Sequence, residues 1–267
     1  MPTPTSPTPL RAVVTGAGRG IGAAIAAKLA AEGARVVVSD IDPTTVADVA
    51  TAIGGYAVPA DATSPAEIEH LLAAATDHLG DIDAYFGNAG IIGGGGLESS
   101  DAEWGRTLDV NVMAHVRVAR LLMPGWVRRG HGRFVVTASA AGLLSMIGDA
   151  PYSVSKHAAV AFAEWLSITY GDKGIVVQAL CPQGVQTAML DAAGDLRDLL
   201  ASQGALTPQE VADCVWEGLQ DDRFLILPHP VVADFYRYRA ADTDGWLRGM
   251  RKLQSGWEAR RGHATTS

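Results

Sequence analysis

Arg11-Ala12-Val13-Val14-Thr15, followed by Gly16-Ala17-Gly18-Arg19-Gly20-Ile21-Gly22, is the stretch on which the fold assignment rests. The first five residues are short, mostly apolar and rich in β-branched side chains, the composition of a buried strand. The glycines follow without a gap, and an Ala-rich helical pattern runs from Gly20 to Glu32. Glycine lets the backbone turn sharply and approach a pyrophosphate closely. The helix N-terminus then offers free N–H groups and partial positive charge to phosphates. In this strand–turn–helix context Gly16, Gly18, Arg19, Gly20, Ile21 and Gly22 are candidate dinucleotide-binding residues. The alternative is a tight turn that merely packs helix on strand.

Working outward, apolar strands alternate with helices. Strands are predicted at Arg35–Asp40, Tyr56–Pro59, Ala84–Gly87, Arg133–Ser139, Ile175–Cys181 and Phe224–Leu227. Helices are predicted at Pro43–Ile53, from Ser64-Pro65 to Leu79, at Asp101–Val127, at Pro151–Tyr170 and after Thr207-Pro208-Gln209-Glu210. Ser64 and Thr207 read as N-caps with Pro at the first helical position, and Gly80 as a stop. Continuous apolar strands separated by helices predict a doubly wound, Rossmann-type parallel sheet of seven strands in one α/β domain, with helices on both faces. Residues 1–9 read as a disordered lead-in and 10–228 as the catalytic domain. Residues 229–267 show no clear period, but their aromatic residues predict a tail that packs on the domain or on a neighbouring subunit.

The 267 residues suffice for one large core, and 48% hydrophobic against 19% charged residues is a globular balance. A net charge of −8 argues against nucleic acid or an anionic membrane as partner. No stretch is long and apolar enough to span a bilayer. Cys181 and Cys214 lack metal-ligand spacing, and the histidines (His115, His131 and His157 among them) show none either, so no metal is expected and a reducing cytoplasm is.

Asp40 ends the second strand, where a carboxylate can accept both hydroxyls of an adenosine ribose. A 2′-phosphate there would meet like charge, so NAD is favoured over NADP. Arg19 argues the other way, since a guanidinium can pair with that phosphate. Asp61-Ala62 ends the third strand; the Asp61 carboxylate is placed either to bind the adenine amino group or to close an Asx-turn before Thr63-Ser64. Tyr152 and Lys156 stand four residues apart, on one face if the segment is helical. A phenol ionises near ~10, and bringing it to roughly 7 takes about 4 kcal/mol, within reach of two cations in a dry site. Lys156 is one candidate and an oxidised nicotinamide the other.

Taken together, Thr15-Gly16-x-x-x-Gly20-x-Gly22, Asp61, Asn88-Ala89-Gly90, Asn111, Ser139, Tyr152-x-x-x-Lys156, and Pro182 with Thr187 resemble the short-chain dehydrogenase/reductase family over Ala12 to Leu227. The resemblance implies Tyr152 as general acid/base, Lys156 as the residue that bonds the nicotinamide ribose and lowers the phenol pKa, and Ser139 as donor to the substrate oxygen. It implies Asn111 as holder of a water leading from Lys156 to solvent; a satisfied core amide is the other reading. Asn88, Ala89 and Gly90 are to line the adenosine side, and Pro182, Val185 and Thr187 the nicotinamide side.

Two departures stand out. Gly87 replaces the first Asn of the family's Asn-Asn-Ala-Gly, and Gln183 stands where the family has glycine. Gln183 either reaches the substrate or faces water. Ala141 and Met146 after Ser139, and Met189 after Thr187, flank the substrate by family position, so a hydrophobic secondary alcohol or ketone is expected. Ala188 to Gly204 reads as a mobile lid. The long helices Trp104–Val127 and Pro151–Tyr170 are apolar around their circumference, which with the family habit predicts a homotetramer. The resulting expectation is an NAD(H)-dependent alcohol dehydrogenase or ketone reductase. The alternatives are an NADP(H)-dependent carbonyl reductase, a non-catalytic dinucleotide sensor and, more distantly, an epimerase or dehydratase.

Overall fold

In the computed structural model, which describes residues 9–192, 197 and 204–264, seven parallel strands form one sheet in the order β3-β2-β1-β4-β5-β6-β7. The strands are β1 Arg11–Thr15, β2 Arg35–Ser39, β3 Tyr56–Ala57, β4 Ala84–Gly87, β5 Gly132–Thr137, β6 Ile175–Leu180 and β7 Leu225–Ile226. Strand order reverses at β1, which pairs with β2 on one side and β4 on the other. That reversal splays the connections apart and opens a crevice at the strands' C-terminal ends, the site position general to open α/β sheets.

Alternation along each strand sends side chains to two cores. Val13, Val37, Tyr85 and Phe134 face one, packed by α3 (Pro65–Leu79), α5 (Ala114–Arg129) and α7 (Ala150–Tyr170). Val14, Val38, Phe86 and Val135 face the other, under α1 (Gly20–Ala31), α2 (Pro43–Ile53) and α9 (Pro208–Asp221). The doubly wound arrangement predicted from the strand–helix alternation is therefore the one present. Helix ends follow local chemistry. Asp42, Ser64 and Thr207 cap α2, α3 and α9 with Pro just inside, and Gly80 ends α3 in the left-handed region at φ 85°.

Three expectations change. The long helix after Asp101 is not continuous: α4 (Asp101–Leu108) passes through a π-helical turn, Asp109–Met113, before α5. The outer strands β3 and β7 are two residues each, shorter than read. The tail, in which no period was legible, holds two helices, α10 (Val231–Ala241) and α11 (Thr243–Ala264). Val232 and Trp257 of this region are buried, and Phe235 and Trp246 pack against the core. Short helices α6 (Ala141–Leu144) and α8 (Ala188–Asp191) flank the crevice. Most of the segment read as a lid after α8, and all but Pro9 of the lead-in, lie outside the described residues. Among the described residues no helix is long and apolar enough to cross a membrane.

Candidate active site

The crevice is a cleft of ≈ 1580 Å³ at the C-terminal ends of β1, β4, β5 and β6. Every residue singled out from the sequence lines it except Gly18, Gly22 and Asn111, which stand behind the wall. At one end is the glycine turn. Gly16 and Gly20 have φ of 59° and 58°, left-handed values that side chains disfavour. A Cβ on Gly16 would lie 2.8 Å from the Ala89 Cα, and one on Gly22 would lie 2.2 Å from the Gly16 carbonyl oxygen. The turn is thus pressed against the segment after β4 and against itself. Asn88 is spent on that contact: its Nδ2 donates to the Gly16 carbonyl at 3.0 Å, while Thr15 Oγ1 accepts from the backbone N–H groups of Asn88 (3.1 Å) and Ala89 (3.3 Å).

Arg19 occupies the N-cap position of α1 without a side-chain capping bond, so it leaves the first N–H groups of the helix uncovered. Asp40 accepts from the Gly18 N–H at 3.0 Å and from the Asp42 N–H at 3.2 Å, which fixes its carboxylate at the cleft wall beside that helix start. Asp61 takes the turn role: one carboxylate oxygen accepts from both the N–H and the hydroxyl of Thr63 at 2.8 Å. Asp61 and Ala62 still face the cleft.

At the other end, β5 delivers Ser139 and α7 delivers Tyr152 and Lys156, each less than a tenth exposed. The Ser139 hydroxyl stands on the cleft wall with the Tyr152 phenol. It also accepts from the Ala141 N–H at 3.1 Å and donates to the Pro182 carbonyl at 3.4 Å. Lys156 Nζ donates to the Thr137 carbonyl at 2.9 Å and lies 5.6 Å from the centre of the Tyr152 ring. Burial pulls the Lys156 ammonium down to about 8. Burial pushes the Tyr152 phenol up, with Ser139 opposing and the charges of Asp149 and Cys181 adding to the rise. The downward shift expected from the Tyr–Lys spacing is therefore not supplied by the protein's own side chains. Asn111 is fully buried and both polar atoms of its amide are hydrogen-bonded: Oδ1 accepts from the Ile91 N–H, and Nδ2 donates to the Ile91 carbonyl and to Ser155 Oγ, each at 2.9 Å. The π-helical turn is the local widening that admits this pairing.

Three residues make contacts at the site that the sequence reading did not give them. Asp149 caps α7 and accepts from the N–H groups of Tyr152 (2.9 Å), Gly93 (3.0 Å) and Gly94 (2.7 Å), so one carboxylate ties the glycine loop at the cleft rim to the start of the catalytic helix. Its signal was available as Asp followed two residues later by Pro. His115, a turn after Asn111, is buried with neither ring nitrogen hydrogen-bonded. Burial, then the Lys156 charge, lowers it to about 3, so the ring stays neutral. It explains Gly87, on which a Cβ would lie 2.6 Å from the His115 Nδ1. His229 Nδ1 accepts from the Gln183 N–H at 3.1 Å, which leaves its Nε2–H to donate to the Gly204 carbonyl at 3.2 Å. Gln183 itself stands on the cleft wall between Pro182 and Val185.

The family model described as short chain dehydrogenase matches residues 11–197. The chain belongs to the short-chain dehydrogenase/reductase family. As a short-chain dehydrogenase it is an oxidoreductase of the alcohol–ketone couple. It is 38% identical over 232 residues to a 1-deoxy-11-beta-hydroxypentalenate dehydrogenase of Streptomyces avermitilis, covering 82% of this chain and 84% of the relative. It is 28% identical over 257 residues to a D-beta-hydroxybutyrate dehydrogenase of Rhizobium meliloti, covering 93% and 98%. Among solved structures it resembles a short-chain dehydrogenase of Burkholderia phymatum in complex with NAD, with TM-score 0.82, 31% identity and coverage of 88% and 94%. It also resembles a variant of the actinorhodin polyketide ketoreductase with NADPH, with TM-score 0.76, 30% identity and coverage of 82% and 94%.

Proposed function

We propose that this short-chain dehydrogenase uses NAD(H) to interconvert a hydrophobic secondary alcohol and its ketone, with Tyr152 moving the proton. The observation that carries the reading is the pairing of two cleft ends: Ser139, Tyr152 and Lys156 buried together at one, and an uncapped helix start beside the Asp40 carboxylate at the other. The second end fits a dinucleotide, since the glycine turn leaves backbone N–H groups for phosphates and Asp40 retains acceptor capacity for ribose hydroxyls. Gly16, Gly18, Arg19, Gly20, Ile21, Gly22, Asp40, Asp61, Ala62 and Asn88–Gly90 would hold the adenosine half, and Pro182, Val185 and Thr187 the nicotinamide half. When bound, the nicotinamide supplies or takes up the hydride.

The chain's own groups handle the rest. Tyr152 Oη gives its proton to the developing alkoxide in reduction and takes it back in oxidation. Ser139 Oγ holds the substrate oxygen against that hydroxyl. In this reading Lys156 bonds the nicotinamide ribose, and an oxidised nicotinamide would supply the positive charge that favours the phenolate. Asn111 keeps the role of holding a water between Lys156 and solvent. Its side chain supports that role by fixing the π-helical turn through Ile91 and Ser155. Ala141, Met146 and Met189 give an apolar substrate wall, with Gln183 as its polar member. Assaying a graded panel of alcohols and ketones with NAD and NADP in parallel tests the reading. Turnover with none of them would favour a dinucleotide-sensing protein instead.

Asp40 should set the cofactor preference. Replacing it in Asp40→Asn removes the charge that repels a 2′-phosphate and leaves Arg19 nearby to attract one. The ratio of kcat/KM for NADP to that for NAD should rise about tenfold or more, roughly 1.4 kcal/mol. A ratio that does not move, or a wild-type protein that prefers NADP, would remove the argument.

The reading includes a homotetramer. Val154, Trp165 and Ile168 on α7 are 49%, 54% and 78% exposed, and Leu121 on α5 is 45% exposed, more apolar surface than two neighbouring helices ordinarily leave in water. Light scattering should give four times the 27.9 kDa chain mass; a monomer at micromolar concentration contradicts it. Cytoplasm is the compartment proposed, because Cys181 and Cys214 are both unpaired. Recovery in an extracellular fraction would refute it.

A further inference from the structure

The segment after Ser139 forms the substrate side of the cleft, and its conformation is not self-sustaining. Helix α6 is a single turn, and Ser145 just beyond it has φ 71°, a left-handed value that a residue other than glycine keeps only when its neighbours are held. Two clamps hold them. Behind Ser145, the Met146 N–H donates to Ser153 Oγ at 2.9 Å and that hydroxyl donates back to the Met146 carbonyl at 3.0 Å. Ahead of it, the Leu143 carbonyl accepts from Nη1 of Arg239, on helix α10 of the tail.

The same Arg239 Nη1 donates to His157 Nε2 at 3.0 Å. His157 can accept there because its Nδ1 faces the Ser153 carbonyl at 2.8 Å and so carries the proton. Arg239 makes no ion pair with a carboxylate among the described residues, and its guanidinium is committed to this carbonyl and this imidazole. Ser153 and His157 belong to the helix that bears Tyr152 and Lys156. A continuous hydrogen-bonded path therefore runs from the tail, through Arg239 and His157, to both flanks of Ser145.

We propose that Arg239 is a positioning residue that sets the shape of the substrate side of the cleft, and that this is the work of the C-terminal tail. The proposal rests on the dehydrogenase reading for what occupies that side. It does not rest on it for the effect on the segment itself. Arg239 touches neither the proton-moving hydroxyl nor the glycine turn. Its loss should therefore change substrate binding and leave the chemical step and the cofactor site intact.

The test uses the whole 267-residue chain in Arg239→Ala, with Arg237→Ala as control, since Arg237 is exposed and, among the described residues, pairs with Asp234 on the same helix. Hydrogen–deuterium exchange should show amides in 141–147 exchanging about tenfold faster in Arg239→Ala, with β1, β2 and the glycine turn unchanged. With a substrate found in the panel, KM for the alcohol should rise about fivefold or more for the bulkier members, with kcat and KM for NAD within about twofold. Adding His157→Leu to Arg239→Ala should cost little more, because the two act along one path. If Arg239→Ala does not fold, Arg239→Gln and His157→Leu are measured the same way. Unchanged exchange at 141–147, or a fall in kcat with KM untouched, overturns the proposal. The exchange arm needs no substrate, so a panel without turnover sinks the dehydrogenase reading and leaves this one decided.

Discussion

Tyr152→Phe should reduce turnover by about 10³-fold or more while NADH binding stays within about twofold of wild type; the loss corresponds to about 4 kcal/mol of transition-state stabilisation. The substitution deletes one oxygen from a buried ring, so the cavity it leaves is small and the fold survives. The Ser139 hydroxyl keeps the Ala141 N–H and the Pro182 carbonyl as partners, so no buried polar group is stranded. What disappears is the phenol hydroxyl beside Lys156. The glycine turn and Asp40 stand at the other end of the cleft, and the phenylalanine ring keeps the Tyr152 shape beside the cofactor. Fluorescence titration with NADH and steady-state rates on the same preparation separate the two effects. Residual turnover above a tenth of wild type would show that another group moves the proton.

Lys156→Met should cut activity by about 10²-fold or more and yet make the protein more stable at pH 7, by about 1–3 kcal/mol. Burial lowers the ammonium from 10.5 to about 8. The folded state thus binds this proton more weakly than the unfolded chain does. The cost of burying the charge is present in full below about pH 8, shrinks as pH rises from there, and is gone above the unfolded value of 10.5. The gap between the two amounts to about 3 kcal/mol. Methionine keeps the apolar stem and drops the charge; against this stands the lost bond to the Thr137 carbonyl, about 1 kcal/mol. Denaturant midpoints at pH 7 and pH 10 should show the variant's advantage and then its narrowing. A variant less stable than wild type at pH 7 would mean that the charge is satisfied where it sits.

The contrast between these two residues shows what a sequence can and cannot disclose. Strand and helix ends were legible where a few adjacent residues decide them, as at Ser64-Pro65 and Thr207-Pro208. The π-helical turn was not, because it answers to Asn111 pairing with Ile91, twenty residues earlier in the chain. Helices α10 and α11 lacked a readable stripe because their charged and aromatic residues are interleaved and little of either helix is buried. That most of the candidate residues line one cleft follows the motif order. The direction of the Tyr152 shift was not, since it depends on how much protein closes over the hydroxyl. His115 looked like any helical histidine until Gly87 was found to leave it room.

The sheet begins and ends in strands of two residues, β3 and β7. Each border therefore presents almost no free backbone for a stranger to pair with, although the interior strands are apolar and would template fibril growth if they were outermost. Self-association of the folded protein would then be left to its helical flanks, and the proposed assembly through α5 and α7 would close on itself instead of propagating. Concentrated solutions should accordingly form discrete assemblies and not filaments.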